Sequence, residues 1–403
     1  MVIPTSSHSP NKINGSTCLF RQAGALSHSL YKHPPFCFNG DVMKVAVLHD
    51  YLNQFGGAER VLKAIFELFP DADLYTLLYD KDKVRGEFEG RIKRTSFLDN
   101  AVVRRRHRAF IPLMPLAARA LRLDDTYDLI ISSSAGYAKG FGRSNSAFHV
   151  CYCHSPLRYA WEIEYLKNLP FSPWQMHQLI GYPIAHALRR WDKRAADNVD
   201  LFIANSQFIA DKIRTYYGRD AEVVYPPVDT NVFYPEPSEN QGEYYMMAGR
   251  LLYYKLFDVG INAFNRLQMP LKIVGSGPEY RKLRAMAGPN IEFIRDVSDE
   301  TLRRLYSDAR AFIFPQIEDF GLVAAEAQAC GTPVIAYNDG GAREIVENGK
   351  TGVLIDAQTP DAVIEAVRAL ENTSYDRSYI TQRAQKFSRD NFLEQMRNLI
   401  TQP

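Results

Sequence analysis

The chain is expected to be an α/β protein of two domains, each built on a parallel sheet. Three observations carry this expectation. Its 403 residues exceed the roughly 100 to 200 of one ordinary domain. From residue 44 onward, short runs of Val, Ile, Leu and Phe alternate with longer amphipathic segments, the order that yields strand, crossover helix and next parallel strand. The alternation is interrupted once, by a proline-rich and then polar stretch over 226–242, and restarts after it. A hydrophobic content of 46% supplies two cores, while a net charge of +2 gives no reason to propose nucleic acid as a partner. Five cysteines without a regular framework fit a reducing compartment. No apolar run reaches the roughly 18 residues of a membrane-spanning helix.

Residues 1–42 are rich in Ser, His, Pro and Asn and lack the compact apolar segment of a secretory signal. They read as a disordered leader or a start assigned too early, with Met43 opening the first domain. Residues 44–49 form a strand, and Gly56, Gly57, Ala58, Glu59 and Arg60 open a helix to about 69. A glycine pair between strand and helix lets a phosphate or sugar approach the backbone, although the full dinucleotide spacing is missing. Asp71 and Asp73 sit in a polar helix-to-strand turn without further ligands nearby, so no metal site is assigned there. Over 97–123, apolar clusters alternate with Arg104, Arg105, Arg106, His107, Arg108, Arg119 and Arg122. Such a basic amphipathic stretch suits an anionic membrane surface or a solvated face over the core.

Strands follow over 128–132 and 148–153, the second running into His154, Arg158 and Tyr159. Cys151, Cys153 and His154 fall short of the four ligands of a closed zinc site, and no second pair lies at a familiar spacing. His154 stands instead at the carboxyl end of a strand, where open parallel sheets bind their ligands. A basic-faced helix over 183–197, a strand over 201–204, a helix capped at Ser206 and reaching 217, and a strand over 223–229 complete the first domain.

The second half repeats the pattern. A strand over 244–248 leads to Gly249 and Arg250, and Lys255 precedes a helix over 257–267. Two cations five residues apart beside a glycine turn suit a diphosphate. A strand over 271–274 ends in Gly275, Ser276 and Gly277, and one over 291–294 runs into Arg295. A strand over 311–314 leads through the loop 315–319 into a helix over 320–329, closed by Gly331 and Pro333. The first amides of that helix, at Phe320, Gly321 and Leu322, favour an anion or a ring of hydroxyls. Glu318 precedes the helix and Glu326 lies about one and a half turns inside it, so both can face one ligand from different heights. Strands over 334–337 and 352–356 and a last helix over 381–399 close the chain.

Glu318, seven residues and Glu326, with Phe-Gly-Leu between and Ala-Cys-Gly-Thr-Pro-Val after, resembles the signature of retaining glycosyltransferases of family 4. Those enzymes have the GT-B fold, two Rossmann-like domains with parallel sheets facing across a cleft. Gly56-Gly57-Ala-Glu-Arg, His154-Ser-Pro-x-Arg158-Tyr159-x-Trp161 and Gly249-Arg250-x-x-x-x-Lys255 resemble further motifs of the family, in order. The histidine string is similar to that of a bacterial subgroup that includes O-antigen mannosyltransferases. The resemblance spans 43–403 and implies an acceptor domain over 43–226, a nucleotide-sugar domain over 227–380 and a helix over 381–403 returning to the first.

It further implies that His154 and Glu318 orient the transferred sugar, that Arg250 and Lys255 hold the diphosphate and that Glu326 holds the ribose. Gly56, Gly57, Gly249, Gly275, Ser276 and the amides of Phe320, Gly321 and Leu322 would complete the donor site, with Arg158 and Tyr159 on the acceptor side. No metal and no cofactor are implied. The donor would be GDP-mannose or a UDP-hexose, and the acceptor a glycan or lipid-linked oligosaccharide of a bacterial surface polysaccharide. The place of work would be the cytoplasm, on the inner face of the plasma membrane if 97–123 touches lipid. Two departures bear on specificity: Tyr253-Tyr254-Lys255-Leu256 replaces the usual Pro-Tyr-Lys-Arg, and Arg295 stands where relatives carry glycine. The rival readings are a GT-B epimerase of nucleotide sugars and a catalytically silent binding subunit.

Overall fold

The computed structural model describes residues 43–123, 127–142, 147–162, 181–236 and 242–401, so that the leader 1–42 lies outside the described residues. Two parallel sheets organise them. The first contains β1 (Val45–Leu52), β2 (Asp73–Tyr79), β3 (Ile92–Thr95), β4 (Leu129–Ser134), β5 (Phe148–Cys153), β6 (Leu201–Ala204) and β7 (Glu222–Val223). Its order is β3-β2-β1-β4-β5-β6-β7. The second contains β8 (Tyr244–Ala248), β9 (Leu271–Val274), β10 (Ile291–Ile294), β11 (Ala309–Phe314), β12 (Val334–Tyr337) and β13 (Gly352–Ile355), in the order β10-β9-β8-β11-β12-β13. Every pairing is parallel.

Burial on both faces explains the continuous apolar character of the central strands. In β1, Val45 and Val47 pack with Val61, Ile65 and Phe66 of the helix Gly57–Leu68. Ala46 and Leu48 point the other way, toward Val103, Ile111 and Met114. The basic stretch is thereby anchored: Ala101–Arg106, a tight turn over His107–Leu113 and Met114–Ala120 form short helices whose apolar side covers the sheet. The Asn100 side chain caps the first of them, accepting from the amides of Val102 and Val103 at 3.1 Å.

Three elements differ from the sequence expectation. β3 was not anticipated as a strand; it lies beside β2, whose Asp73 accepts from the Tyr127 hydroxyl at 2.7 Å and lies 3.5 Å from Lys93 of β3. The strand expected over 223–229 shrinks to Glu222–Val223, because Pro226 and Pro227 have no N–H for the ladder. The single last helix is two. Arg377–Ala384 belongs to the second domain, where Ala384 and Phe387 join its core. Arg389–Thr401 inserts Phe392, Met396 and Ile400 into the core of the first. The two crossings between domains run side by side, since Val228 donates to the Phe387 carbonyl and Arg389 to the Val228 carbonyl, each at 2.8 Å.

Candidate functional site

In both sheets the strand order reverses once, between β1 and β4 and between β8 and β11. Crevices at the carboxyl ends of such strands are where open α/β sheets bind ligands. Here a cavity of about 380 Å³ is shared by both, with His49, Asp50 and His154 on one side and Arg250, Tyr253 and Asp319 on the other. A larger hollow of about 580 Å³ lies between Met43, Pro70 and Arg397 at the amino end of β1. It is remote from these groups.

The first-domain wall is a connected polar network. The His154 Nε2 lies 2.8 Å from the Ser133 hydroxyl, which lies 3.1 Å from His49 Nδ1. The far side of that imidazole is 3.7 Å from Glu59, whose carboxylate accepts from the Gly56 amide at 2.7 Å. The glycine turn and His154 are thus tied through the carboxyl ends of β1 and β4. Burial, with His49 alongside, pushes the His154 imidazole down to about 3, so it is neutral at physiological pH. Asp50 accepts three amides, from Ala135, Tyr137 and Ala138, at 2.6, 2.8 and 2.5 Å, and so pins the loop after β4. Its burial nevertheless raises its carboxyl.

Arg158 forms an ion pair with Asp319 of the second domain, and Tyr159 faces the same cavity. His107 and Arg108, from the basic stretch, line it as well. The His107 ring is 3.2 Å from the Asn53 amide and tilts against Tyr51, and burial with Arg108 nearby lowers it to about 4. Sequence reasoning missed His49, Asp50, Ser133 and His107 as members of this wall. The position that singled out His154, a polar group at a strand's carboxyl end, applies equally to His49 and Ser133.

On the second-domain side, Arg250 donates to the Gln54 side chain across the cleft. Lys255 and Glu318 pair with each other rather than lining the cavity, and Gln316 donates to the same Glu318 oxygen at 3.0 Å. Gly249 (φ 140°) and Gly275 (φ 143°) abut, and a Cβ on Gly275 would collide with the Gly249 carbonyl. Ser276 accepts from the Leu251 amide at 2.9 Å, which holds this loop beside Arg250, and it also borders a hollow of about 420 Å³ with Arg281 and Arg295.

Glu326 is buried and accepts from Arg60 at 2.6 Å. Gly321 (φ 107°) caps the helix Leu322–Ala329. The Phe320 ring is turned into the core against Tyr225 and Phe387, leaving only its backbone for a ligand. Gly57 faces Leu322, where a Cβ would come within 2.8 Å of the leucine side chain. Two helix N-termini therefore meet at the cleft, flanked by cations, a combination suited to a diphosphate.

Comparison with known proteins bears on what this cleft is. Residues 55–232 match the family described as Glycosyltransferase Family 4, and residues 230–387 that described as Glycosyl transferases group 1. A D-inositol 3-phosphate glycosyltransferase of Nocardioides is 30% identical, over 46% of this chain and 49% of the relative. A GDP-mannose-dependent alpha-(1-6)-phosphatidylinositol monomannoside mannosyltransferase of Mycolicibacterium smegmatis is 29% identical, over 47% and 57%. The chain thus spans about half the length of the curated relatives it matches. Among solved structures, Anabaena Alr3699/HepE in complex with UDP superposes with a TM-score of 0.68 at 19% identity, over 90% of this chain and 100% of that one. Sucrose-phosphate synthase from Thermosynechococcus elongatus gives 0.66 at 19%, over 90% and 99%. Two consecutive family matches, meeting where the chain crosses between two parallel-sheet domains, show that this protein belongs to glycosyltransferase family 4 and has the GT-B fold.

Proposed function

We propose that this protein is a retaining mannosyltransferase that moves mannose from GDP-mannose to a hydroxyl of a lipid-linked glycan during synthesis of a bacterial surface polysaccharide. The observation that carries the reading is the shared cleft cavity, with His154, Arg158 and Tyr159 facing Arg250 across it and the Lys255–Glu318 pair on the same domain as Arg250. The bond from the anomeric carbon to the diphosphate oxygen breaks, the acceptor oxygen bonds to the same face of that carbon, and the acceptor proton leaves on the diphosphate. The developing negative charge is met by Arg250, Lys255 and the amides of Phe320, Gly321 and Leu322. His154, kept neutral by burial, and Glu318 orient the sugar through hydrogen bonds. Glu326 takes the ribose, Arg158 and Tyr159 the acceptor. This route uses no protein nucleophile.

GDP-mannose is supported by the mannosyltransferase relatives and by the His154-Ser-Pro-x-Arg158-Tyr159 string. The second reading, a UDP-hexose donor, is favoured by the fold neighbour solved with UDP. Exposed Phe97, Val102 and Leu116 beside Arg105 and Arg106 support contact with an anionic membrane surface and so work on the cytoplasmic face. Calorimetric titration of the full chain with GDP, UDP, GDP-mannose and UDP-glucose tests the donor. Binding of the GDP pair alone is expected, with Lys255→Ala lowering transfer by at least about 100-fold. Binding of the UDP pair would replace the donor. Binding of neither, or transfer unchanged in Lys255→Ala, would leave the silent subunit standing.

A further inference from the structure

Arg60 sits in the first turn after the glycine pair, in the first domain, yet its guanidinium works almost wholly in the second. It donates to Glu326 at 2.6 Å, lies 3.5 Å from Asp299 on the helix Asp299–Asp308, and is 5.7 Å from the Phe233 ring just beyond the crossing. Glu326 has only 4% of its side chain exposed, against 29% for Arg60. A carboxylate taken that far from water is costly unless a cation is held against it. Among the described residues, Arg60 is the cation that acts on Glu326; Asp299 and the Tyr306 phenol, both of the second domain, are its other partners, and the second-domain Arg303 and Arg377 act on the neighbouring Cys330 thiol. The compensating charge comes from the other domain.

Resting on the reading of Glu326 as the ribose ligand, we propose that Arg60 is the positioning residue that keeps Glu326 charged and aimed at the nucleoside, so that the donor site is complete only when the two domains are closed. The physical logic is simple. A charged carboxylate accepts from both ribose hydroxyls, whereas a protonated one has a proton where an acceptor is needed. Burial raises the Glu326 carboxyl and Arg60 opposes that rise. Without Arg60 the acid would take up its proton at a higher pH, and nucleotide affinity would fall with it. Asp299, at the same guanidinium, adds a like charge to Glu326 and cannot substitute.

The test is nucleotide affinity against pH. GDP and UDP are titrated calorimetrically into the full wild-type chain, Arg60→Ala, Arg60→Lys, Glu326→Gln and Arg60→Ala/Glu326→Gln between pH 5.5 and 8.5. Whichever nucleotide binds the wild type is expected to bind Arg60→Ala about tenfold more weakly at pH 7. The loss should shrink as pH rises, and Arg60→Lys should restore most of the affinity. In the Glu326→Gln background, removing Arg60 should change affinity less than twofold, because no buried charge remains to hold. Equal affinity of wild type and Arg60→Ala across the range, or an undiminished Arg60→Ala loss in the glutamine background, overturns the role of Arg60 and leaves the donor reading intact. Failure of the wild type to bind either nucleotide overturns the donor reading and this role with it.

Discussion

His154 shows how much a single side chain's surroundings decide. The chain turns it inward at the end of β5, against Ser133 and beneath the Tyr152 ring, whose centroid is 5.2 Å away. An imidazole there loses water and stands beside His49 with no anion to offset the loss, so its value falls from 6.5 to about 3. Unfolded, the same histidine takes up a proton below about 6.5, which the folded protein refuses until about 3. Stability contributed by the neutral ring is therefore present above 6.5 and drains away as pH falls through that window. Thermal unfolding of wild type and His154→Gln from pH 7 to pH 4.5 checks this. The wild-type Tm should drop more steeply than that of the variant, and parallel curves would show that burial does not hold this ring neutral.

At the scale of elements, the helix Arg389–Thr401 is joined to the last helix of the second domain yet completes the first-domain core. Met396 is fully buried, in one cluster with Leu62, Val150 and Phe392. Met396→Ala is expected to cost about 2 to 5 kcal/mol, a transfer loss plus a cavity. Denaturant unfolding followed by fluorescence would measure it, and a cost under about 1 kcal/mol would mean that the helix is dispensable to that core. Much of this architecture was legible in the sequence. Strands buried on both faces carry unbroken apolar runs, as β6, β8 and β12 do, and the prolines at 226 and 227 mark the break between halves. β3 escaped because it is a short edge strand, Ile-Lys-Arg-Thr, with no apolar run at all. The bend between the last two helices escaped because no proline or glycine announces it; the tight turn Gln385–Phe387 is set by Phe387 entering the core. The sequence singled out His154 and Glu326, but not the groups they bond to. Arg60 and Glu326 are 266 residues apart, and His49 and Ser133 are 84 apart. Only the fold brings such pairs together.

The whole molecule is held closed by a few ties that cross the cleft. Asp319 pairs with Arg158, and its carbonyl accepts from the Ser206 hydroxyl at 2.5 Å. Glu344 accepts the amides of Gln207 and Phe208 at 2.8 and 3.2 Å, so a carboxylate of one domain caps a helix of the other. Each domain also has its own cores, and the crossings at Val228 and Phe387 are narrow enough to act as a hinge. Closure and folding are therefore separable. Asp319→Ala/Glu344→Ala removes both carboxylate ties while leaving every core residue, and the Ser206 bond to the residue-319 carbonyl, in place. Its radius of gyration by small-angle scattering should exceed that of wild type. Its Tm should move by no more than a few degrees, because partly exposed ion pairs contribute little to folding. If closure completes the site, saturating nucleotide should bring the variant's radius back to the wild-type value, and KM for the donor should rise more than kcat falls. A radius unchanged by the double substitution would place the closing force in the remaining contacts, chiefly Arg60 with Glu326 and Leu322 against Gly57.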